Sequence, residues 1–176
     1  AIVEKKQQVM RGEPIAEAGG FVSVPMHAPI SGTVKQVGRA LNPRGEMAPA
    51  IVIDRDPEAD QEEIWIRPQD VCALSSAKII QAVQETGMVG LGGAAFPTHV
   101  KMKVPEGKTI DTIIVNGCEC EPYLTTDYRV MLEQAEQIIA GIHIALRATG
   151  AKQAVICVED NKPAALEALR RATAET

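Results

Sequence analysis

Long apolar runs are missing from this sequence of 176 residues. A helix that crosses a bilayer needs about 18 consecutive apolar residues, and no segment approaches that length. The chain also does not open with the basic and then apolar segment of a secretory signal. We therefore expect the chain itself to be soluble.

Basic residues are neither abundant nor clustered. The chain has 18 Lys and Arg against 23 Asp and Glu, so its formal net charge is -5. Proteins that bind nucleic acid usually carry a basic stripe or patch, which neutralises the phosphate backbone. The lack of such a stripe argues against nucleic acid as a partner.

Cysteine is sparse, with four residues in the whole chain. This number is too low for the disulfide framework of a small secreted domain and favours a reducing, cytoplasmic compartment. Iron–sulfur and zinc sites need about four ligands, usually from C-x-x-C pairs, and no such pair is present. Cys118 and Cys120 are separated by one residue. Cys157 lies in an apolar run, which predicts that it is a small core residue. We predict no metal site in these residues.

The first third of the chain has the texture of an all-β module. Residues 1–57 are short β-prone runs separated by Pro and Gly, without helical periodicity. Short strands and tight turns are the structure that this pattern predicts. Residues 58–70 are first acidic and then apolar, which indicates a connector.

Residues 71–176 alternate between helical and strand patterns. SSAKIIQAVQETG predicts a helix, DTIIVN a buried strand, residues 125–150 one long amphipathic helix, and AKQAVICVED a second buried strand. Pro163 is suited to the first position of a last helix. The order strand, helix, strand, helix predicts an α/β domain with a parallel sheet.

The segment GLGGAAFPTHVK, residues 90–101, matches the dinucleotide-binding fingerprint G-x-G-x-x-A. In a Rossmann fold this fingerprint follows a strand and opens a helix, whose amides face the pyrophosphate. Here a predicted helix precedes the segment, and Pro97 interrupts its second half, so that no convincing helix is expected there. The match to the Rossmann fingerprint is therefore interpreted as accidental.

The glycines of this segment still indicate a cofactor loop. Gly87, Gly90, Gly92 and Gly93 are more glycines than one turn needs, and glycine lets backbone amides approach an anion or a flat ring. Lys101 follows soon after and could supply positive charge for a phosphate, although a single lysine is more often a solvated surface residue.

A second polar segment, NGCECEP, covers residues 116–122 just past the carboxyl end of the predicted strand DTIIV. Ligands of open α/β sheets bind at that end of the strands. Asn116, Glu119 and Glu121 would project there and could accept hydrogen bonds from ribose or ribityl hydroxyls. A solvated acidic turn explains the same residues equally well.

These motifs together resemble a known family. GLGGAAFPTHVK, IIVNGCECEP and TTDYRVM are similar to RnfC, a subunit of the Rnf ion-translocating electron-transport complex. They are more distantly similar to the NADH-binding flavoprotein subunit of respiratory complex I. IAEAGGFVSVPMHAPISGTV is similar to the amino-terminal module of RnfC. The resemblance implies a barrel-sandwich module over 1–57, a connector over 58–70, and the front part of an FMN- and NADH-binding α/β domain over 71–176.

The resemblance also implies site residues. The glycine loop would lie against FMN, and the strand-end motif would bind flavin and nicotinamide. No side chain is implied to be catalytic, because the cofactor carries the chemistry. Two positions depart from the complex I pattern, Cys118 where an acidic residue is usual and Ala95 where glycine is usual. The implied FMN residues are Gly90, Gly92, Gly93, Lys101, Asn116 and Glu119, and the implied NADH residues are Phe96 and Glu121.

The activity implied is hydride exchange with NADH or NAD through FMN, with electrons passed to iron–sulfur clusters. The subunit would be peripheral, on the cytoplasmic face of the bacterial inner membrane, with the other subunits of the complex as partners. The family carries two 4Fe-4S clusters and a β-grasp domain, whose motifs these residues do not contain. We therefore expect an amino-terminal part of the subunit, with an incomplete pocket and no activity alone.

Two alternatives remain open at this point. VPMHAPISGTV is also similar to the flattened β-barrel of lipoyl and biotinyl carriers, which need an exposed lysine at a hairpin tip. Lys35 falls later, within the strand that follows, so we expect a cofactor-free docking module. The other alternative is the related quinone-reductase subunit of the sodium-pumping NADH complex, which has a similar architecture without the NADH chemistry.

Overall fold

The structure, a computed structural model, describes residues 1–62, 64, 70–91 and 94–174. Short antiparallel strands form its first part, as the sequence predicts. They make one three-stranded sheet in the order β1-β4-β5 and one two-stranded sheet of β2 and β3. The strands are β1 (Gln8–Val9), β2 (Pro14–Ala16), β3 (Met26–His27), β4 (Gly32–Leu41) and β5 (Met47–Arg55).

A bulge in the long hairpin and an aliphatic cluster shape this part of the chain. β4 and β5 form a long hairpin, and the register shifts between Val34 and Gln36, so that Lys35 bulges out of the ladder. Such bulges re-aim a side chain and increase the local twist of a strand pair. The buried members of the cluster are Val3, Val9, Ile15, Ala28 and Val34, and Ile51 and Ile53 pack against them.

Helices and two parallel strands make up the second part of the chain. Helix α1 stops shortly before Gly87, whose φ of 74° is left-handed, and α5 begins at Pro163, both as predicted. After a 3-10 turn at Val71–Ala73, the elements are α1 (Ser76–Glu85), α2 (Thr98–Met102), β6 (Thr112–Gly117), α3 (Thr126–Glu133), α4 (Ala135–Thr149), β7 (Gln153–Val158) and α5 (Pro163–Ala174).

The predicted parallel pairing is confirmed, since β6 and β7 are parallel and in register from Thr112 opposite Gln153 to Gly117 opposite Val158. Helices α3, α4 and α5 pack with one another and with these strands. Their core contains the buried residues Met131, Ala165 and Leu169, with Tyr128, Ala135, Ile138, Ile156 and Val158 packed against it.

The prediction that both strands are buried is wrong for one face of the sheet. Ile114 is 71% exposed and Val155 48% exposed, and Cys157 is exposed rather than a core residue. These side chains alternate with the half-buried Ala154 and Ile156, and Ile156 packs into the helical core. The helices thus cover one face of this strand pair. In most parallel sheets both faces are covered, and the strands then have apolar sequences without alternation.

The single long helix predicted from Thr125 to Gly150 is also wrong. Gln134, with φ -134° and ψ 33°, leaves helical geometry and separates α3 from α4. Neither Pro nor Gly stands at this point, so the sequence carries no breaker there. The interruption lets Met131 of α3 and Ile138 of α4 both reach the core around α5.

The chain forms two compact units. The first contains Ala1–Asp70, Ala82–Gly90 and Ala95–Val100, and the second contains Val71–Gln81, Leu91–Ala94 and Lys101–Thr176. The domain bounds at 57 and 70 stay predictions, and residues 63 and 65–69 of the connector lie outside the described residues. None of the described helices has the length and apolar character that would let it cross a membrane.

Candidate functional site

The glycine loop is closed at its base by a short antiparallel bridge. Val89 pairs with Pro97, the Gly90 N–H donates to the Phe96 carbonyl at 2.9 Å, and the Thr98 N–H donates to the Met88 carbonyl at 3.0 Å. We call residues 88–90 and 96–98 the stem. The stem holds the two ends of the loop together, which differs from the strand-to-helix turn of a Rossmann site.

Two features of the loop bear on cofactor binding. Ala95 has a φ of 48°, in the left-handed region that non-glycine residues seldom occupy. Phe96 is 40% exposed, so part of its ring is available for stacking on a planar group. Gly92 and Gly93, both predicted to contact FMN, lie outside the described residues.

A one-turn helix follows the loop, which corrects the expectation that Pro97 would prevent a helix here. Helix α2 starts directly after Pro97, because the fixed φ of proline is tolerated at a helix start. Lys101 lies on its exposed side, whereas His99 is only 2% exposed. The sequence does not predict the burial of His99, since a single histidine after a loop carries no periodic signal.

The strand-end loop begins where β6 stops. Asn116 is exposed, and its side-chain oxygen accepts a hydrogen bond from the Cys118 N–H at 3.1 Å. This Asx turn directs the chain away from the strand and leaves the amide NH2 of Asn116 as a donor. Gly117 permits close packing there, because a Cβ would lie 2.9 Å from the Cys157 carbonyl oxygen and 2.9 Å from Met131 Sδ.

Glu119 caps helix α3. Its Oε1 accepts a hydrogen bond from the Tyr128 N–H at 2.9 Å, while Thr125, at the N-cap position, makes no side-chain capping bond. A carboxylate at a helix N-terminus satisfies an unpaired amide and favours the positive end of the helix dipole. One oxygen of Glu119 is therefore engaged within the protein, and its predicted contact with FMN stays a prediction.

Asp127 lies in the first turn of the same helix. Desolvation of its carboxyl group raises its pKa above the ordinary value, and the negative charge and hydrogen bond of Glu119 raise it further. Two carboxyl groups beside each other disfavour simultaneous ionisation. The pair thus places two carboxyl groups side by side at the start of α3.

Glu121 lies further along the strand-end loop with an exposed side chain, and its backbone carbonyl accepts from the Leu124 N–H at 3.4 Å. The neighbouring Tyr123 is fully exposed and has a φ of 66°. Asn116 lies at the end of β6 and Glu119 and Glu121 in the loop that follows it, and their contacts with a cofactor stay predictions. Gly90 and Phe96 are brought together separately, at the stem.

Comparison with known families matches residues 83–176 to the Nuo51 FMN-binding domain. The chain belongs to this FMN-binding family. All eight predicted site residues, described or not, lie within the matched range. Residues 1–58, which we call the front module, match the RnfC barrel sandwich hybrid domain. This match agrees with the short antiparallel strands found there.

Curated relatives of this Nuo51-type chain are named as C subunits of ion-translocating oxidoreductases. The proton-translocating ferredoxin:NAD(+) oxidoreductase subunit of Clostridium ljungdahlii is 39% identical over 171 residues, which are 97% of this chain and 37% of the relative. The Na(+)-translocating subunit of Acetobacterium woodii is 42% identical over 97% of this chain and 39% of its own length. The subunit of Rhodobacter capsulatus is 41% identical, over 97% and 33%.

These relatives confirm the resemblance to RnfC that the motifs indicate. The chain spans between one third and two fifths of the length of these three relatives. Within residues 83–176, Asn116, Glu121 and Lys101 have exposed side chains, and Glu119 is half-buried. By their chemistry, an amide donor, carboxylate acceptors and an ammonium group suit the ring edge, hydroxyls and phosphate of a flavin nucleotide.

Proposed function

We propose that this chain supplies the FMN-binding part of the C subunit of an ion-translocating oxidoreductase. The whole subunit would exchange a hydride with NADH or NAD and pass electrons to two 4Fe-4S clusters outside these residues. The observation that carries the proposal is the match of residues 83–176 to an FMN-binding domain, a range that includes the polar side chains at the end of β6.

Each site residue has a proposed role. The loop glycines Gly90, Gly92 and Gly93 would let the backbone approach FMN closely, and Lys101 would attract its phosphate. Asn116 would donate to the flavin through its free amide, and Glu119 would accept through its second oxygen. Phe96 would stack on the dinucleotide and Glu121 would bind the NADH ribose. When bound, FMN would take the two electrons of a hydride and release them one at a time.

The proposal extends to the place of the subunit in its assembly. It would lie at the cytoplasmic face of a bacterial membrane, as a peripheral subunit in contact with other subunits of the complex. The relatives named as parts of ion-translocating complexes support this assignment. The front module would have the flattened barrel of lipoyl and biotinyl carriers without their prosthetic group.

The position of Lys35 argues against a carrier role. It lies within β4 as a bulged residue, and its ammonium is 3.2 Å from the carboxylate of Asp54 on β5. A carrier lysine must instead stand at a hairpin tip, free to move between active sites. Intact-mass analysis of the protein should show no lipoyl or biotinyl adduct, and an adduct on Lys35 would revive the carrier alternative.

FMN titration of this chain and of the whole subunit, followed by anaerobic NADH, tests the main proposal. The whole subunit should bind FMN, and NADH should then bleach the visible absorbance of the flavin. FMN binding without bleaching would favour the quinone-reductase alternative, and failure of the whole subunit to bind FMN would refute the proposal.

Glu121→Gln tests the division of roles within the site. Loss of a charged hydrogen-bond acceptor for NADH should slow flavin reduction about 10- to 100-fold while FMN affinity changes little. Glu106→Gln, an exposed acid in the turn before β6, is the matched control and should leave both unchanged. Stopped-flow reduction measured beside FMN fluorescence quenching separates the effects, and equal losses of both would contradict the NADH role.

A further inference from the structure

One short segment of the front module is hydrogen-bonded to the chain both before and after the stem. We call residues 21–27, FVSVPMH, the seat. Gln84 of α1 donates from Nε2 to the Ser23 carbonyl at 3.2 Å, just before the stem. His99 of α2, just after the stem, bonds through Nε2 to the Phe21 carbonyl at 2.9 Å. The chain that enters the loop and the chain that leaves it are therefore both hydrogen-bonded to the seat, and we call these two hydrogen bonds the ties.

A cavity separates the seat from the stem between these two ties. It has a volume of about 500 Å³ and is lined by Pro25 and His27 of the seat, by Val89 and Pro97 of the stem, and by Ala95. Apolar side chains therefore do not fill the whole space between the two segments. The hydrogen bonds at the two ends of the cavity fix the geometry of this contact, because hydrogen bonds are directional and apolar contacts are not.

His99 is the more buried of the two ties. Because a carbonyl oxygen only accepts, His99 Nε2 carries the hydrogen of this bond. Nδ1 has no hydrogen-bond partner among the residues that the structure describes. The Phe21 ring meets the imidazole edge-on, with 6.0 Å between ring centroids. The imidazole is thus fixed in place by one hydrogen bond and one aromatic contact, both to Phe21.

We propose that the front module positions the stem for cofactor binding and that His99 is the positioning residue. The inference rests on the proposed function, in which the glycine loop lies against FMN. His99 does not touch the cofactor. It acts through the stem, by holding Thr98 and Pro97 where the Gly90–Phe96 hydrogen bond closes the loop. The barrel-sandwich module then serves the flavin site instead of carrying a prosthetic group.

The matched variants His99→Gln and His99→Met test this inference. The two replacement side chains have nearly the same size, but only glutamine can donate a hydrogen bond to the Phe21 carbonyl. Hydrogen exchange of the peptide that covers residues 88–98 measures opening of the stem, and FMN fluorescence quenching measures affinity in the whole subunit. His99→Met should speed exchange and weaken FMN binding about tenfold, while His99→Gln should stay close to the wild-type protein.

Gln84→Met is the second variant and removes the other tie, which is less buried. It should move exchange in the same direction by a smaller factor, and it keeps the inference testable should His99→Met not fold. Unchanged exchange of residues 88–98 in both methionine variants would overturn the inference, as would equal behaviour of His99→Gln and His99→Met. Wild-type protein that binds no FMN would refute the proposed function alone, because the exchange measurement needs no cofactor.

Discussion

Ala95 occupies a backbone conformation that suits glycine. Its φ of 48° costs a residue with a Cβ about 1–2 kcal/mol, whereas glycine adopts it freely but loses more entropy on folding. Ala95→Gly should therefore raise the free energy of unfolding by about 0.5–1 kcal/mol in thermal or urea unfolding. Ala59→Gly, in a bend without positive φ, should lower it. Equal effects of the two substitutions would contradict strain at Ala95.

Asp127 makes stability depend on pH. Its pKa is raised in the folded protein, so the folded state holds the proton more tightly than the unfolded state does. The contribution of protonated Asp127 to the free energy of unfolding is therefore fully present below the ordinary pKa of 3.8. It is lost as the pH rises through the pKa of the folded state. Asp127→Asn cannot ionise and should have a higher Tm than the wild-type protein at neutral pH.

The advantage of Asp127→Asn should shrink as the pH approaches the ordinary pKa of aspartate. A Tm series over pH measures this trend, and Asp160→Asn, an exposed side chain after β7, is the control that should leave Tm unchanged. An advantage that stays constant over the whole series would show that the effect does not come from ionisation of Asp127.

Individual residues differ in how well the sequence predicts them. Gly87 and Pro163 have the helix-end and helix-start positions that their backbone preferences predict. Cys157 is wrongly predicted as a core residue, because an apolar strand looks the same whether one face or both are covered. The capping role of Glu119 is not predictable either, since it spans nine residues and depends on the path of a loop.

At the scale of elements, β6 and α3 approach so closely that only glycine fits at position 117. A methyl group there would meet the Cys157 carbonyl, which cannot move without disturbing β7, and Met131 Sδ, which can. Gly117→Ala should lower the free energy of unfolding by about 1–3 kcal/mol.

Gly141→Ala is the control for that substitution. Gly141 lies in α4, and no described atom outside its own helix lies near the place of its Cβ. Alanine is the better helix former, so the variant should gain up to about 1 kcal/mol. Urea unfolding compares the two, and a Gly117→Ala protein as stable as the wild type would mean that β7 and α3 yield easily.

Element type is predicted better than element extent. The parallel pairing of β6 and β7 follows from the order of strand and helix patterns, and the structure confirms it. The break at Gln134 is not predictable, because no proline or glycine stands there and the apolar periodicity continues. Packing on α5, which is a tertiary effect, overrides the local helix preference of that segment.

At the scale of the whole molecule, the two hydrophobic cores share no described residue. Val34 is fully buried in the front core and Leu169 is buried in the core around α5. Val34→Ala should cost about 1.5–3 kcal/mol and reduce hydrogen-exchange protection in β4 and β5. Leu169→Ala should cost about 2–5 kcal/mol and act on β6 and β7. Loss of protection in all four strands from either change would show one cooperative core.

For the candidate site, the sequence predicts which residues are neighbours in the chain but not which distant segments meet. Asn116, Glu119 and Glu121 lie at or just after one strand end, because they are neighbours in the chain. The ties of Gln84 and His99 to residues 21–27 join segments about sixty to eighty residues apart. No local pattern in a single sequence reports such distant contacts.

The long β4–β5 hairpin sets an order of events during synthesis. Hairpins of neighbouring strands have low contact order and form in about 1–10 μs, whereas a ribosome adds only about 5–20 residues per second. β4 and β5 will have paired long before residues 90–101 leave the ribosome, while β6 must wait for β7. Residues 21–27, which Gln84 and His99 contact, therefore leave the ribosome before the glycine loop does, whereas the parallel pair of β6 and β7 can form only after it.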